Sequence, residues 1–250
     1  MNADAASGVA DIGSDQADLD PSTDRYARRF EGPAGEWLLS RQTKALRRLI
    51  APWPQATVLD VGGGHGQVAT PLLEDGHKVR VLASSEVALG QVRAMSSVSL
   101  STEVGPLTAL AYSDQSFDVV ASFRILAHIG DWRVLLREMA RVARHAVIVD
   151  FPIPGGANAL EPLLFGLKQR VEGDTRRFQT ITRKEVRASL SEAGLTEFNA
   201  IGQFVLPMVL HRKLGRPRLS GTLERGLRTT GLARVIGTPV VLCARRTSSK

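Results

Sequence analysis

The chain has few of the residues that covalent cross-linking, membrane spanning or stacking on nucleic-acid bases require. Of its 250 residues only one is cysteine, Cys243, so no internal disulfide can form, which suits a reducing compartment. Its apolar runs fall far short of the roughly 20 residues that a bilayer-spanning helix needs. No basic segment followed by an apolar stretch opens the chain, as it would in a secretory signal. We therefore expect a soluble, cytoplasmic protein.

The N-terminal end of the chain lacks basic residues, and the C-terminal end almost lacks acidic ones. Residues 1–24 contain six aspartates and no Lys or Arg, and with little to bury they are expected to form a disordered acidic tail. Residues 201–250 contain ten Lys or Arg against a single acid, Glu224. Such a basic region can attract nucleic acid or anionic lipid, or it can be a solvated surface. It is nearly without aromatic residues and shows no RNA-binding signature, which disfavours nucleic acid and leaves peripheral membrane contact open.

Between these ends, helical and extended patterns alternate. Residues 25–54 predict an N-terminal helical cap, ended by the two prolines of "APWPQ". Short apolar strands separated by helical segments then follow, which predicts an α/β fold with a doubly wound, mostly parallel, Rossmann-like sheet. Seven strands are expected, the last of them antiparallel. We assign this domain to residues 55–250, with a basic insert at about 211–237.

A glycine-rich turn follows the first predicted strand, in the stretch "VLDVGGGHGQVA". A dinucleotide fingerprint, G-x-G-x-x-G, would begin at Gly62, but Gln67 stands where its third glycine belongs. The pattern present is D-x-G-x-G-x-G, with Asp60 at the end of the strand and Gly62, Gly64 and Gly66 after it. An acid at this place suits a ligand that carries a positive charge.

Two stretches in order, "VLDVGGGHG" and "LAYSDQSFDVVASFRILAHIGDWRVLLREMARVARHAVIVD", resemble the class I S-adenosylmethionine-dependent methyltransferases. The resemblance covers roughly residues 45–200 and implies S-adenosylmethionine as the cofactor. It also implies that Asp60 attracts the methionyl ammonium, that Phe123 lies near the sulfonium, and that His128 lies beside the pocket. The glycine backbone would follow the methionine and the ribose, at Gly62, Gly63, Gly64 and Gly66. Structural roles stay open as well, with Asp60 capping the turn and His128 packing at the entry of a helix.

Two positions depart from the family pattern. The second strand normally ends in an acid that binds both ribose hydroxyls, but Ala83 stands there. The third strand is normally followed by an Asp that accepts from the adenine amino group, but Pro106 stands there. Ser84, Ser85 or Glu86 can supply the ribose contact, since hydroxyls and carboxylates both accept hydrogen bonds. A backbone carbonyl just beyond Pro106 can accept from the adenine.

The function that the sequence predicts is methyl transfer from S-adenosylmethionine to a small-molecule acceptor. Base methylation is disfavoured, because "SFRI" replaces the N/D-P-P-Y/W-type motif after the fourth strand. The alternative is a non-catalytic, methyltransferase-like binding or scaffold protein, which Ala83 and Pro106 favour. Arg124 can bind a ligand carboxylate or pair with a nearby acid. No catalytic residue and no metal site is predicted, although Tyr26 and His211 lie where such enzymes build acceptor sites.

Overall fold

Strands and helices alternate in the computed structural model, which describes residues 17–18, 30–156 and 179–247. The strands are β1 (Thr57–Val61), β2 (Lys78–Ala83), β3 (Leu100–Val104), β4 (Phe117–Ser122), β5 (Ala143–Phe151), β6 (Glu197–Phe204) and β7 (Thr238–Arg245). The helices are α1 (Gly32–Ile50), α2 (Ala69–Glu74), α3 (Gly90–Arg93), α4 (Trp132–Val142), α5 (Arg183–Glu192), α6 (Met208–Leu214), α7 (Pro217–Thr229) and α8 (Leu232–Ile236). Among these described helices, none combines the length and the apolar character that crossing a membrane demands.

The seven strands form one sheet in the order β3-β2-β1-β4-β5-β7-β6. The pairs among β1 to β5 are parallel, whereas β7 runs antiparallel to both β5 and β6. This confirms the predicted fold class, including its antiparallel terminal strand. The strand order reverses between β1 and β4, and ligands of such sheets bind beyond the carboxyl ends of the strands at this switch point. Asp60 lies there, in register with Val81 of β2 and Ala121 of β4.

Apolar side chains cover both faces of the sheet, as a mostly parallel sheet requires. On one face, α4 and α5 bury Leu135, Met139 and Leu190 against the strands. On the other face, α1 buries a stripe that includes Leu46 and Leu49, together with residues of α2. The sheet is therefore a rigid platform that presents its carboxyl edge to any ligand.

Two helix starts carry capping signals in the sequence, which predicts Asp131 as an N-cap and Thr182 with Glu185 three residues later as a capping box. Thr182 and Glu185 form the predicted capping box, since each side chain accepts from the other residue's backbone N–H at 3.2 and 2.9 Å. Asp131 does precede α4, but its side chain makes no capping hydrogen bond. The apolar stretch "FNAIGQFVLPMVL" predicts extended structure, but β6 ends at Phe204 and the chain turns into α6 after Pro207.

The predicted regions at the two ends are only partly described. α1 falls within the predicted cap of residues 25–54, and the helices α6 to α8 correspond to the predicted basic insert. Ala17 and Asp18 do not behave as members of a disordered tail, because both are fully buried. The rest of that tail lies outside the described residues, as do Tyr26 and the stretch "LEPLLFGLKQRVEG" (160–173), whose pattern predicts a helix.

Candidate functional site

The glycine turn holds its shape through contacts that exclude larger side chains. The Gly62 N–H donates to the Leu82 carbonyl of β2 at 2.7 Å, and Gly62 has a φ of +79°. A Cβ on Gly62 would lie 2.5 Å from the Ile125 side chain, and one on Gly63 would lie 1.9 Å from Asp60 Oδ2. A side chain at Gly62 would therefore be strained, and one at Gly63 would displace the Asp60 carboxylate, against which the turn lies.

Asp60 is a buried carboxylate that accepts no hydrogen bond from the described part of the chain. It is fully buried at the end of β1, and among the described residues neither of its oxygens has a hydrogen-bond partner. Burial raises the pKa of Asp60 to about 7, although the positive charge of Arg124 opposes that rise. A desolvated carboxylate is costly unless a cation or hydrogen-bond donors complete it. Asp60 therefore fits a ligand that brings a positive charge, such as the ammonium of a methionyl group.

Arg124 connects the turn to α1 and to β5. Its backbone, at a φ of +66°, donates to Asp150 Oδ1 at 2.5 Å. Its guanidinium donates to the Gln67 side chain and, at 2.7 Å, to Gln42 of α1, and it lies 4.2 Å from the centre of the Phe30 ring. The structure thus differs from both alternatives for Arg124. Its backbone N–H, rather than its guanidinium, binds the nearby acid, and the guanidinium binds two side-chain amides. Gln67, which breaks the dinucleotide fingerprint, is the partner of that arginine.

Asp150 is the second buried acid near Arg124, at the end of β5. Burial raises its pKa to about 6, against the hydrogen bond from the Arg124 N–H and the charge of Arg124. Sequence reasoning missed Asp150. The signal for it was an acid that follows the apolar run "AVIV" directly, as Asp60 follows "TVL".

An acid from a distant part of the chain, Asp18, lies against the end of β2. The Ser84 backbone N–H donates to Asp18 Oδ2 at 2.7 Å, and the Ser84 hydroxyl donates to Asp18 Oδ1. The Ser85 hydroxyl instead accepts from the Ala88 N–H at 3.2 Å, and Glu86 pairs with Arg93. Of the three candidates for the ribose contact, Ser84 is therefore the one that lies against a buried carboxylate.

Phe123 and His128 follow β4 at the same edge of the sheet as the glycine turn. The Ser122 hydroxyl donates to the Val61 carbonyl at 2.9 Å, which ties the ends of β4 and β1 together. Phe123 is buried, and His128 is partly buried in a turn in which its N–H donates to the Ile125 carbonyl at 2.8 Å. The fold thus brings both residues to the edge where Asp60 lies.

An aromatic cluster joins α1 to the basic insert beside this edge. The Trp37 ring lies 5.0 Å from the His211 ring and 5.6 Å from the Phe204 ring. His211 is fully buried, and its Nε2 lies 3.2 Å from Glu224 Oε1. His211 thus packs within a buried cluster, which favours a structural role over a role in an acceptor site.

Glu224 organises the start of the insert. Its carboxylate accepts from the N–H groups of Val205 and Leu206 at 3.0 Å, which ends β6 and directs the chain into α6. Burial opposes ionisation of Glu224, but hydrogen bonds from His211 and these two amides outweigh it and hold its pKa below the ordinary value. Sequence reasoning assigned Glu224 no role, although it was the single acid of the basic C-terminal region.

Comparison with known proteins agrees with this geometry. Residues 59–149 match the family described as "Methyltransferase domain". A demethylmenaquinone methyltransferase of Mycolicibacterium paratuberculosis is 26% identical over 155 residues, covering 57% of this chain and 66% of that protein. The chain thus spans slightly less than two thirds of that relative.

Solved structures share the fold at low sequence identity. Magnesium protoporphyrin IX methyltransferase from Synechocystis PCC 6803, with bound S-adenosylhomocysteine, has a TM-score of 0.62 and 15% identity, covering 90% of this chain and 94% of that one. The cyclase SpnF has a TM-score of 0.56 and 17% identity, covering 84% and 81%. Because a cyclase shares it, the fold alone does not determine the reaction.

Proposed function

We propose that this chain is a class I S-adenosylmethionine-dependent methyltransferase, as the sequence predicts, and that it methylates a small, largely apolar acceptor. The match of residues 59–149 to a methyltransferase family and the shared fold support this assignment. Its cofactor is S-adenosylmethionine, which supplies an electrophilic methyl group on a sulfonium when bound. The observation that carries the proposal is Asp60, a buried carboxylate with no partner among the described residues, beneath a glycine turn.

The chain's own residues would bind and orient the reactants. Asp60 would pair with the methionyl ammonium, and the backbone of residues 62–66 would lie along the methionine. Phe123 would border the sulfonium and keep water from it. Alignment of donor and acceptor is the main requirement of such a transfer, and a general base is needed only where the acceptor atom must lose a proton.

The apolar acceptor is supported by the surface of α6 to α8. In the described residues, five of the eight exposed large hydrophobic side chains lie between residues 214 and 235, including Leu219 and Leu223 on one face of α7. Residues 208–236 contain seven Lys or Arg, and Glu224, their one acid, is buried. An apolar stripe beside basic residues is typical of contact with an anionic membrane surface, where each Lys or Arg contributes about 1 kcal/mol. A relative is named for a menaquinone precursor, and we propose an acceptor of similar apolar character.

Cofactor binding is tested by calorimetric titration with S-adenosylhomocysteine. We expect the wild type to bind and Asp60→Asn to bind about tenfold to a hundredfold more weakly, because a charge-assisted hydrogen bond is lost. Asp118→Asn is the matched control, since Asp118 accepts from Thr57 at the opposite end of the strands. A wild-type protein that releases no heat at millimolar ligand contradicts the proposal.

The acceptor is tested with labelled S-adenosylmethionine. We expect label in hydroxylated apolar acceptors such as short-chain demethylmenaquinols, and none in polar amines offered at the same concentration. A protein that binds S-adenosylhomocysteine but labels no acceptor would support the non-catalytic alternative.

Membrane contact is tested by co-sedimentation with vesicles. We expect binding to vesicles that contain phosphatidylglycerol at low salt, release at high salt, and loss of binding in Leu219→Ser/Leu223→Ser. Val98→Ser is the control, because Val98 is also exposed but lies before β3, far from the insert in sequence. Absence of binding at low salt would remove this part of the proposal.

A further inference from the structure

Asp18 lies between the glycine turn and the end of β2. It is fully buried, and its Cβ is 3.5 Å from the position that a Cβ on Gly62 would take. Its neighbour Ala17 is buried in the same core cluster as Leu82 and Ile125. Two residues from the beginning of the chain thus contribute to the switch-point edge of the sheet, where a cofactor of this fold binds.

The carboxylate of Asp18 is oriented and still has capacity to accept hydrogen bonds. Both described donors to it come from Ser84, one from the backbone at 2.7 Å and one from the hydroxyl. An ionised carboxyl group has about four acceptor sites on its two oxygens. With one described donor on each oxygen, each oxygen can accept one more, which is the arrangement that two adjacent hydroxyls need.

The position of this carboxylate corresponds to a ribose contact. In nucleotide-binding sheets of this kind, an acid about 20 residues beyond the glycine turn accepts from a ribose hydroxyl. Here that place holds Ala83 and Ser84, neither of which is an acid. Ser84, however, fixes an acid from another part of the chain at the same place.

We propose that Asp18 is the ribose-binding carboxylate of this protein, supplied by the N-terminal segment and oriented by Ser84. This inference rests on the proposed use of S-adenosylmethionine. Ala17 and Asp18 then belong to the cofactor site, and a protein that lacks these residues lacks one of its cofactor-binding carboxylates. The opposite role is that residues 17 and 18 fill the place of the cofactor and exclude it.

The two roles predict opposite effects of Asp18→Asn on the affinity for S-adenosylhomocysteine. In full-length protein, Asp18→Asn is expected to weaken S-adenosylhomocysteine binding by about tenfold to a hundredfold, because a charged acceptor is lost. Asp20→Asn, which removes the same charge two residues along, is expected to leave the affinity unchanged. Thermal unfolding of each variant shows whether it remains folded.

A second ligand shows whether the ribose itself is involved. The wild type should bind the 2′,3′-dideoxy analogue of S-adenosylhomocysteine more weakly than the parent, and Asp18→Asn should bind both almost equally. If Asp18→Asn binds as tightly as the wild type, or more tightly, the proposal is overturned, and tighter binding would show that the segment excludes the cofactor. If the wild type does not bind S-adenosylhomocysteine at all, the proposed function fails as well.

Discussion

The proposed cofactor cleft has two ends that hold their acids in opposite ways. At the methionine end, formed by Asp60 and the turn of residues 61–66, the carboxylate is buried with no described partner. At the ribose end, formed by Asp18 and Ser84, the carboxylate is buried but accepts two hydrogen bonds. The methionine end therefore destabilises the protein when no cation is bound, whereas the ribose end stabilises it. Replacement of the acid at each end should change stability in opposite directions, although both replacements should weaken cofactor binding.

The largest expected effect is a pH dependence of stability that Asp60 causes. Its pKa is about 7 in the folded protein and about 3.9 in an unfolded chain. The folded state holds the proton more tightly than the unfolded chain. The contribution of Asp60 to the free energy of unfolding is therefore greatest below pH 4, and it falls by about 4 kcal/mol as the pH rises to 7. Asp60→Asn should remove this fall and be more stable than the wild type at pH 7.

The measurement is urea unfolding of both proteins from pH 4 to 7 without cofactor. Asp150, whose pKa is also raised by burial, to about 6, adds a similar trend to both curves, so the difference between the proteins isolates Asp60. Parallel curves would mean that Asp60 is not an unpartnered buried anion. Saturating S-adenosylhomocysteine should reduce the difference, because its ammonium supplies the missing charge.

A smaller effect is expected from filling the space beside Asp60. Gly63→Ala places a Cβ 1.9 Å from Asp60 Oδ2, so the carboxylate or the turn must move, at a cost of about 1–3 kcal/mol. S-adenosylhomocysteine affinity should fall as well, because the carboxylate is displaced. Gly90→Ala is the control, since nothing lies within 4 Å of its added Cβ, and its stability should be unchanged or slightly raised. Equal behaviour of the two variants would contradict the close contact.

The difference between the ends also explains what the sequence could predict. Asp60 and its glycines are contiguous, so the spacing of residue types alone indicates both the turn and the charge of its ligand. The alternation of strands and helices likewise predicts the sheet, because each element buries one face or stripe in its own period. The structure confirms the fold that these local patterns predict, and the match of residues 59–149 to a methyltransferase domain agrees with the predicted family.

The unpredicted parts depend on contacts between distant residues. Asp18 is separated from Ser84 by 66 positions, and nothing in an aspartate-rich segment distinguishes one acid from the next. Glu224 ends β6 from 19 positions away, so the apolar run after Phe204 gave no sign of the helix that follows it. The individual site residues stay predictions until ligand binding is measured, and so does the cytoplasmic location.

The smallest expected effect concerns the hydroxyl that orients Asp18. Ser84→Ala removes one of the two donors and keeps the backbone N–H, so we expect a loss of about 0.5–1.5 kcal/mol of stability and a few-fold loss of S-adenosylhomocysteine affinity. Ser85→Ala is the matched control, because its hydroxyl accepts from the Ala88 N–H instead. In Asp18→Asn, the further change Ser84→Ala should cost less affinity than it does in the wild type, since residues in direct contact are not additive. Full additivity in this double-mutant cycle would mean that Ser84 acts on the cofactor by itself, without orienting Asp18.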